Sequence, residues 1–329
     1  MKMKLEEIAK LAGVSRTTAS YVINGKSAQY RISEKTQKKV LAVVDKYNYT
    51  PNYAASALRA GNSHTMGLLI PDLENYSYAK LAKLLERDAR KAGFQLIISC
   101  SDDDPETEMN VATSLISRSI DVLLVASSLP ADNDFYRSIQ RKGVPVVAID
   151  RYLDDEIFVS VVSEDLDGAF ELSESLLEKK VESIGLIGAV PELSISKERE
   201  QGFKTALEKQ AYSPKVIYAY GEHFSAVQGQ YLTQQWIDQD CFPDAILVTS
   251  YALFEGVLDC LLTHPELLQK VDLATFGDNR LLDFLPVKIQ SLAQQLEIIA
   301  EKALQLALAA AKGNYNPCIE VISRRLVKR

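Results

Sequence analysis

Two kinds of hydrophobic pattern run along the chain. Near its start, Leu5, Ile8, Ala9, Leu11 and Ala12 fall on one helical stripe, which Gly13-Val14 interrupts. Ser15 is placed to cap a second helix, Arg16–Ile23, that ends at Asn24-Gly25. Ser33 is placed to cap a third, with Val40, Val43, Val44 and Tyr47 at core spacing and a stop near Asn48. Pro51-Asn52 then opens a short helical segment through Leu58, and Gly61-Asn62-Ser63 reads as a linker. Beyond it, short β-branched runs take over: Met66–Ile70, Phe94–Ser99, Val122–Ala126 and Val144–Ile149, then Ser183–Ile187, Ala245–Thr249 and Val271–Phe276. Amphipathic stretches such as Tyr78–Ala92 and Glu106–Ser117 lie between them. This alternation predicts an α/β body of parallel sheets covered by helices. The break near Val159–Glu164 divides it into two lobes. Ligands of such sheets sit at the carboxyl ends of the strands, so the expected site is the cleft between the lobes.

Charge sharpens the division. The 329 residues hold 37 Lys and Arg against 44 Asp and Glu, a net −7 that by itself argues against nucleic acid. The first 61 residues, however, carry 11 basic and 4 acidic side chains, a net +7, leaving 26 against 40, a net −14, for the rest. A basic head on an acidic body suits a nucleic-acid-binding arm joined to a sensor. No apolar run reaches the ~18–20 residues of a spanning helix, and the N-terminus lacks a secretory pattern, so a cytoplasmic protein without membrane association is expected. Cys100, Cys241, Cys260 and Cys318 are far apart and match no zinc spacing, and His64, His223 and His264 are isolated. No metal or cofactor is expected. No G-x-G-x-x-G, P-loop, H-E-x-x-H or G-x-S-x-G is present, so the sequence favours binding over catalysis.

Ala12-Gly13-Val14-Ser15 between two short helices is a helix-turn-helix candidate. Its second helix would present Arg16, Thr17 and Tyr21 to base edges in the major groove, with Thr18, Ser20, Asn24 and Tyr30 suited to phosphate oxygens. In the body, Asp150-Arg151 and Asp278 follow predicted strands, and Arg199 starts a predicted helix. Carboxylates accept from sugar hydroxyls, and Arg151 beside Arg199 would suit a phosphate. Asp72, Ser77 and Ser127-Ser128 are placed to close over a ligand from the opposite lobe.

The run Leu5–Ser15, then Thr17–Ser20 and Val22–Gly25, with Tyr49–Arg59, resembles the head of the LacI-type bacterial repressors, and the similarity continues through the body. Within that family it resembles the members that respond to phosphorylated fructose. The stretches that carry this are Arg16–Lys26, the insertion-like Ser27–Arg31, Ile70–Asn75, Pro191–Ser194 and Phe276–Asn279. The resemblance implies a helix-turn-helix head over 1–48 and a hinge helix with linker over 49–61. The implied body, 62–329, resembles the periplasmic binding proteins: one lobe about 62–161 plus 293–323, the other about 162–292. It implies that Arg16, Thr17 and Tyr21 read bases, that Asn52 and Ala55 lie on the hinge helix against the minor groove, and that Leu58 wedges between base pairs. It places an effector on Asp150, Arg199 and Asp278, with Phe224 stacked on it and Gln294 beside it. Its further implications are a homodimer, or a tetramer built without a leucine-heptad tail, on a near-palindromic operator. The effector would be fructose 1-phosphate ahead of fructose 1,6-bisphosphate, and the role regulation of sugar and central carbon metabolism. A repressor for another sugar, such as sucrose or ribose, and a sugar-binding transport protein are the competing readings.

Overall fold

A computed structural model describes residues 3–49, 62–130 and 133–329. They divide into two units, residues 1–63 and 64–329. In the first, α1 (Leu5–Ala12), α2 (Arg16–Ile23) and α3 (Glu34–Lys46) enclose Ile8, Ala9, Ala12, Ala19, Val22 and Val40. Gly13, at φ 67°, ends α1 in the left-handed conformation that a side chain resists, and this allows the sharp turn into α2. Ser15 Oγ accepts from Thr18 N at 3.0 Å and Ser33 Oγ from Thr36 N at 3.3 Å, so both anticipated caps are formed. The expected segment from Pro51 to Leu58 lies outside the described residues.

The larger unit runs β1 (Thr65–Ile70), α4 (Tyr76–Lys91), β2 (Gln95–Cys100), α5 (Pro105–Ser117), β3 (Val122–Val125), α6 (Asp134–Arg141), β4 (Val146–Ile149) and β5 (Val159–Ser163). It continues through α7 (Leu166–Leu177), β6 (Ser183–Ala189), α8 (Ser194–Glu208), β7 (Lys215–Gly221), α9 (Ala226–Asp238), β8 (Ala245–Val248), α10 (Tyr251–Leu262), α11 (Pro265–Leu268) and β9 (Asp272–Phe276). A 3₁₀ turn (Arg280–Phe284), β10 (Ile289–Ala293), α12 (Leu296–Ala311), β11 (Cys318–Ile322) and β12 (Arg325–Val327) complete it.

Among the described residues these strands form two six-stranded sheets, ordered β11-β5-β4-β3-β1-β2 and β12-β10-β9-β8-β6-β7. All neighbours are parallel except β10 and β12. The central strands β3, β4 and β8 are buried along their whole length, as parallel strands covered on both faces must be. The chain passes between the sheets three times: after Ser163, between Ala293 and Leu296, and between Ile322 and Arg325. The first passage therefore falls two residues beyond the anticipated 161, and Ala293 still belongs to the second sheet. Side chains lace the passages together. Gln294 Nε2 donates to Ser163 Oγ at 3.2 Å, Gln295 Nε2 to Ser323 O at 2.8 Å, and Arg324 Nε to Asp165 Oδ1 at 2.7 Å.

Candidate functional site: a reading helix and an arginine-lined cleft

In the smaller unit, α2 buries Ala19 and Val22, which turns Arg16, Thr17, Ser20, Tyr21 and Asn24 outward. These polar side chains already have neighbours. Arg16 Nη1 lies 2.9 Å from Glu6 Oε1, and the Thr18 and Ser15 hydroxyls are 2.8 Å apart. Asn24 Nδ2 donates to Ser20 Oγ at 3.2 Å, and the Tyr21 ring stacks on Tyr30 with centroids 3.6 Å apart. The helix thus offers an Arg fork, a Thr hydroxyl and a phenol in sequence along one exposed face. Asn52, Ala55 and Leu58 lie outside the described residues.

The larger unit holds a cavity at the carboxyl ends of both sets of strands. Asp72 and Ser77 follow β1, Asp103 follows β2, and Asp150 and Arg151 follow β4. Arg199 comes from α8, Phe224 from beyond β7, and Gln294 and Arg324 from two of the three passages. Of the residues expected here, Asp72, Ser77, Asp150, Arg151, Arg199, Phe224 and Gln294 share this one cavity. Ser127 and Asp278 are not among its lining. Ser127 is buried behind it, donating through Oγ to Glu108 at 2.6 Å. Asp278 borders an adjoining depression that also touches Ser77 and Gln294, and its Oδ1 accepts from Ser291 Oγ and Arg329 Nη2, both at 2.6 Å.

Each cleft arginine rests on an internal carboxylate. Arg151 Nη1 is 2.6 Å from Asp103 Oδ1 and 3.2 Å from Ser128 Oγ. Arg199 Nη2 reaches Asp165 Oδ2 at 3.1 Å, while its Nη1 donates to Thr249 O at 2.8 Å. Arg324 occupies the other oxygen of Asp165, with Nη2 at 2.6 Å. The Arg199 and Arg324 guanidiniums lie 4.6 and 5.1 Å from the Phe276 ring centroid. Arg151 Nε and Arg199 Nε, buried, have no hydrogen-bond partner among the described residues, and Arg324 Nη2 touches Asp165 without hydrogen-bond alignment. Buried guanidinium N–H groups left in this state are sites for an acceptor.

Asp150 has φ 65° and Asp103 φ 55°, left-handed backbone that costs a non-glycine residue about 1–3 kcal/mol. The strain aims Asp150 at Tyr78 Oη, which donates at 2.7 Å, and at Gln294 Nε2, 2.9 Å away. Burial alone would raise the Asp150 carboxyl, but Arg199, the Tyr78 hydroxyl and Arg151 outweigh it and hold the group below the usual carboxylate range. Burial pulls Arg324 below the ordinary guanidinium value despite Asp165. Glu198, beside Arg199 on α8, is pushed up to about 7 by burial and then by Asp165.

Among the residues of the site that escape the sequence reading are Tyr78, Asp103, Asp165, Tyr251 and Arg324. Asp103 had a usable signal, an acidic triplet directly after a predicted strand. Tyr78 has the spacing of a core position on α4. Arg324 lies between two short strands whose partly exposed pattern resembles loop. Among the described residues no helix is long and apolar enough to cross a membrane, and no cluster of three metal-ligating side chains occurs.

The family model for bacterial regulatory proteins of the lacI family matches residues 4–52. That for periplasmic binding proteins and the sugar binding domain of the LacI family matches residues 63–248. The chain is 59% identical over 327 residues to the fructose operon regulatory protein of Vibrio cholerae, covering 99% of this chain and all of the relative. It is 46% identical over 331 residues to the catabolite repressor/activator of Escherichia coli, covering 99% of this chain and 98% of the relative. Among solved structures, the Cra transcriptional dual regulator of Pseudomonas putida in complex with fructose 1-phosphate is 47% identical, with a TM-score of 0.78 over 81% of this chain and 98% of that one. The lac repressor dimer bound to operator, 20% identical, shares the fold with a TM-score of 0.84 over all of this chain and 98% of that one.

Proposed function

Because the chain belongs to the LacI family of bacterial regulatory proteins, we propose that it is a transcriptional regulator of sugar metabolism that a phosphorylated fructose, fructose 1-phosphate first, releases from operator DNA. The observation that carries the effector half is the convergence of Arg151, Arg199 and Arg324 on one cavity with guanidinium N–H groups unsatisfied. A phosphate accepts from several such groups at once, and Arg suits it better than Lys because the planar fork meets two oxygens together. Asp150, Gln294 and Asp72 are then placed for sugar hydroxyls and Phe224 for the apolar face of the ring. Asp278, already held by Arg329, contributes from the rim, and Ser127 acts behind the wall rather than on the ligand.

In the DNA half, Arg16, Thr17 and Tyr21 face bases, while Thr18, Ser20 and Asn24 face phosphates. The segment 49–61, with Asn52, Ala55 and Leu58, contacts the minor groove. Two such heads in a homodimer span a two-fold operator. Residues 1–48, 49–61 and 62–329 are the head, hinge and body of this reading, and the cytoplasm, with its nucleoid, is where such a protein works. It is a binding protein with no chemical step assigned. Arg324 and Gln294 sit on passages between the sheets, so a ligand that grips them bears on the angle between the lobes. It shifts the protein toward release only by binding one lobe arrangement more tightly than the other.

The test pairs calorimetry with an operator gel shift. Arg199→Ala should abolish fructose 1-phosphate binding and release while operator binding persists. Unchanged calorimetric affinity would overturn the site assignment. A wild type released by sucrose or ribose instead would favour the other-sugar reading.

A further inference from the structure

Both large side chains on the exposed face of α2 are held by residues outside that helix. Glu6, on α1, takes Arg16 Nη1 at 2.9 Å. Tyr30, from the segment between α2 and α3, lies flat on Tyr21, with centroids 3.6 Å apart and planes 2° apart. That segment is tied back to the helix by Lys26 N donating to Tyr21 O at 2.8 Å, and closed by Ile32 N donating to Ser27 O at 2.9 Å. A guanidinium has two edges that can meet a pair of acceptors, Nη1/Nη2 and Nε/Nη2. Glu6 meets only Nη1, and among the described residues Nε and Nη2 have no partner, so the Nε/Nη2 edge is the one that can match guanine O6 and N7. The stack likewise removes rotational freedom from the Tyr21 ring and sets its hydroxyl beside that of Tyr30.

The sign of the charge separates this role from general affinity. A carboxylate on the DNA-facing side repels phosphates, so Glu6 lowers the attraction for any duplex. What it contributes in return is the direction of Arg16. We propose that Glu6 and Tyr30 are positioning residues for base readout, Glu6 aiming the Arg16 fork and Tyr30 fixing the Tyr21 ring, and that they set how sharply the head discriminates between operator sequences. The inference rests on the DNA-reading assignment of the head.

The experiment uses the full chain and fluorescence anisotropy. The probes are an operator duplex selected by the wild type from a random pool, single base-pair variants of it, and a random duplex. Glu6→Gln should lower the operator-to-random affinity ratio about 2- to 5-fold, the scale of an exposed ion pair, with random-duplex binding unchanged or tighter. The loss should vanish in an Arg16→Ala background. Tyr30→Ala should lower the ratio only where Tyr21 is present, and Tyr30→Phe, which keeps the ring, should restore it. An unchanged ratio in Glu6→Gln, or the same loss without Arg16, overturns the positioning role while leaving DNA reading in place. If Arg16→Ala itself leaves operator selection untouched, both fall.

Discussion

Asp165 is the carboxylate on which the cleft's charge balance turns, and replacing it with Asn separates two effects that pull in opposite directions. Its side chain is 1% exposed, and its single negative charge is shared between Arg199 on one oxygen and Arg324 on the other. Removing one member of a buried ion pair costs about 3–5 kcal/mol, because the remaining charge is left without compensation. Arg199 keeps Thr249 O at 2.8 Å, and Arg324 keeps the field of Asp150, so the lower end, about 3 kcal/mol, is expected. For a body of this size that is a fall in Tm of about 6–12 °C. The phosphate of an effector competes with Asp165 for the same guanidiniums, so the variant should bind it more tightly. Wild type at a ligand concentration of 100 Kd gains about 2.7 kcal/mol. A tenfold affinity gain in Asp165→Asn would add about 1.4 kcal/mol to that. Thermal melts of both proteins with and without fructose 1-phosphate give the four numbers required. A fall below about 2 °C, or an effector-induced shift no larger in the variant than in wild type, would refute the shared-carboxylate account.

Two further outcomes test other parts of the structure. Glu198 is pushed up to about 7, first by burial and then by Asp165, so the folded protein keeps a proton that the unfolded chain has already released. Stability from this group is therefore complete below the ordinary carboxylate range and lost as pH rises toward 7. Glu198→Gln should melt higher than wild type at pH 8, by no more than about 1 kcal/mol because the group is half exposed, and equally at pH 5; the same gap at both pH values would contradict this. Gly202 lets α8 lie directly on α7, since a Cβ there would meet Leu166 O at 2.2 Å. Gly202→Ala should destabilise the body by about 1–3 kcal/mol and weaken effector binding through Arg199 on the same helix, and a wild-type melt would show that the helices part without strain.

The head was readable because its signals are local. Ser15 and Ser33 cap the helices they precede, and Gly13 sits at the left-handed turn. The buried central strands were readable as short apolar runs. β7 was not, because this edge strand is half exposed and carries Lys215, Tyr218 and Tyr220 rather than a continuous apolar run. β11 and β12 were missed for a related reason: β11 alternates between half-buried and exposed positions, and β12 has three residues. β10 is buried, but Gln290 and Ser291 interrupt its apolar run, and β5, buried throughout, lies where Ser160 and Ser163 made the pattern read as a break. At the cleft, the rule that ligands meet strand ends pointed to Asp150 and Arg151, and both line the cavity. It also located Asp278, but not the arginine 51 residues later that occupies it. Ser127 was expected at the cleft in the same way and lies behind its lining, since nothing near it in the sequence announces Glu108 on α5. Partners contributed by distant segments are what a local pattern cannot supply.

The order in which the sheets are completed bears on how the chain is made. The first sheet needs β11 at its edge, and its core includes Ile299, Ala300, Ala303 and Ala307 of α12. Yet β6 to β10 of the second sheet follow one another without interruption and lack only β12. On a ribosome adding about 5–20 residues per second, the 133 residues from Ser163 to Leu296 take about 7–27 s. Through that interval α4 alone covers the face of the first sheet on which α12 packs, and the part over β3, β4 and β5 that α12 fills stays open. The lobe encoded second thus closes its core first, and the nascent protein carries that open apolar strip until α12 and β11 have emerged.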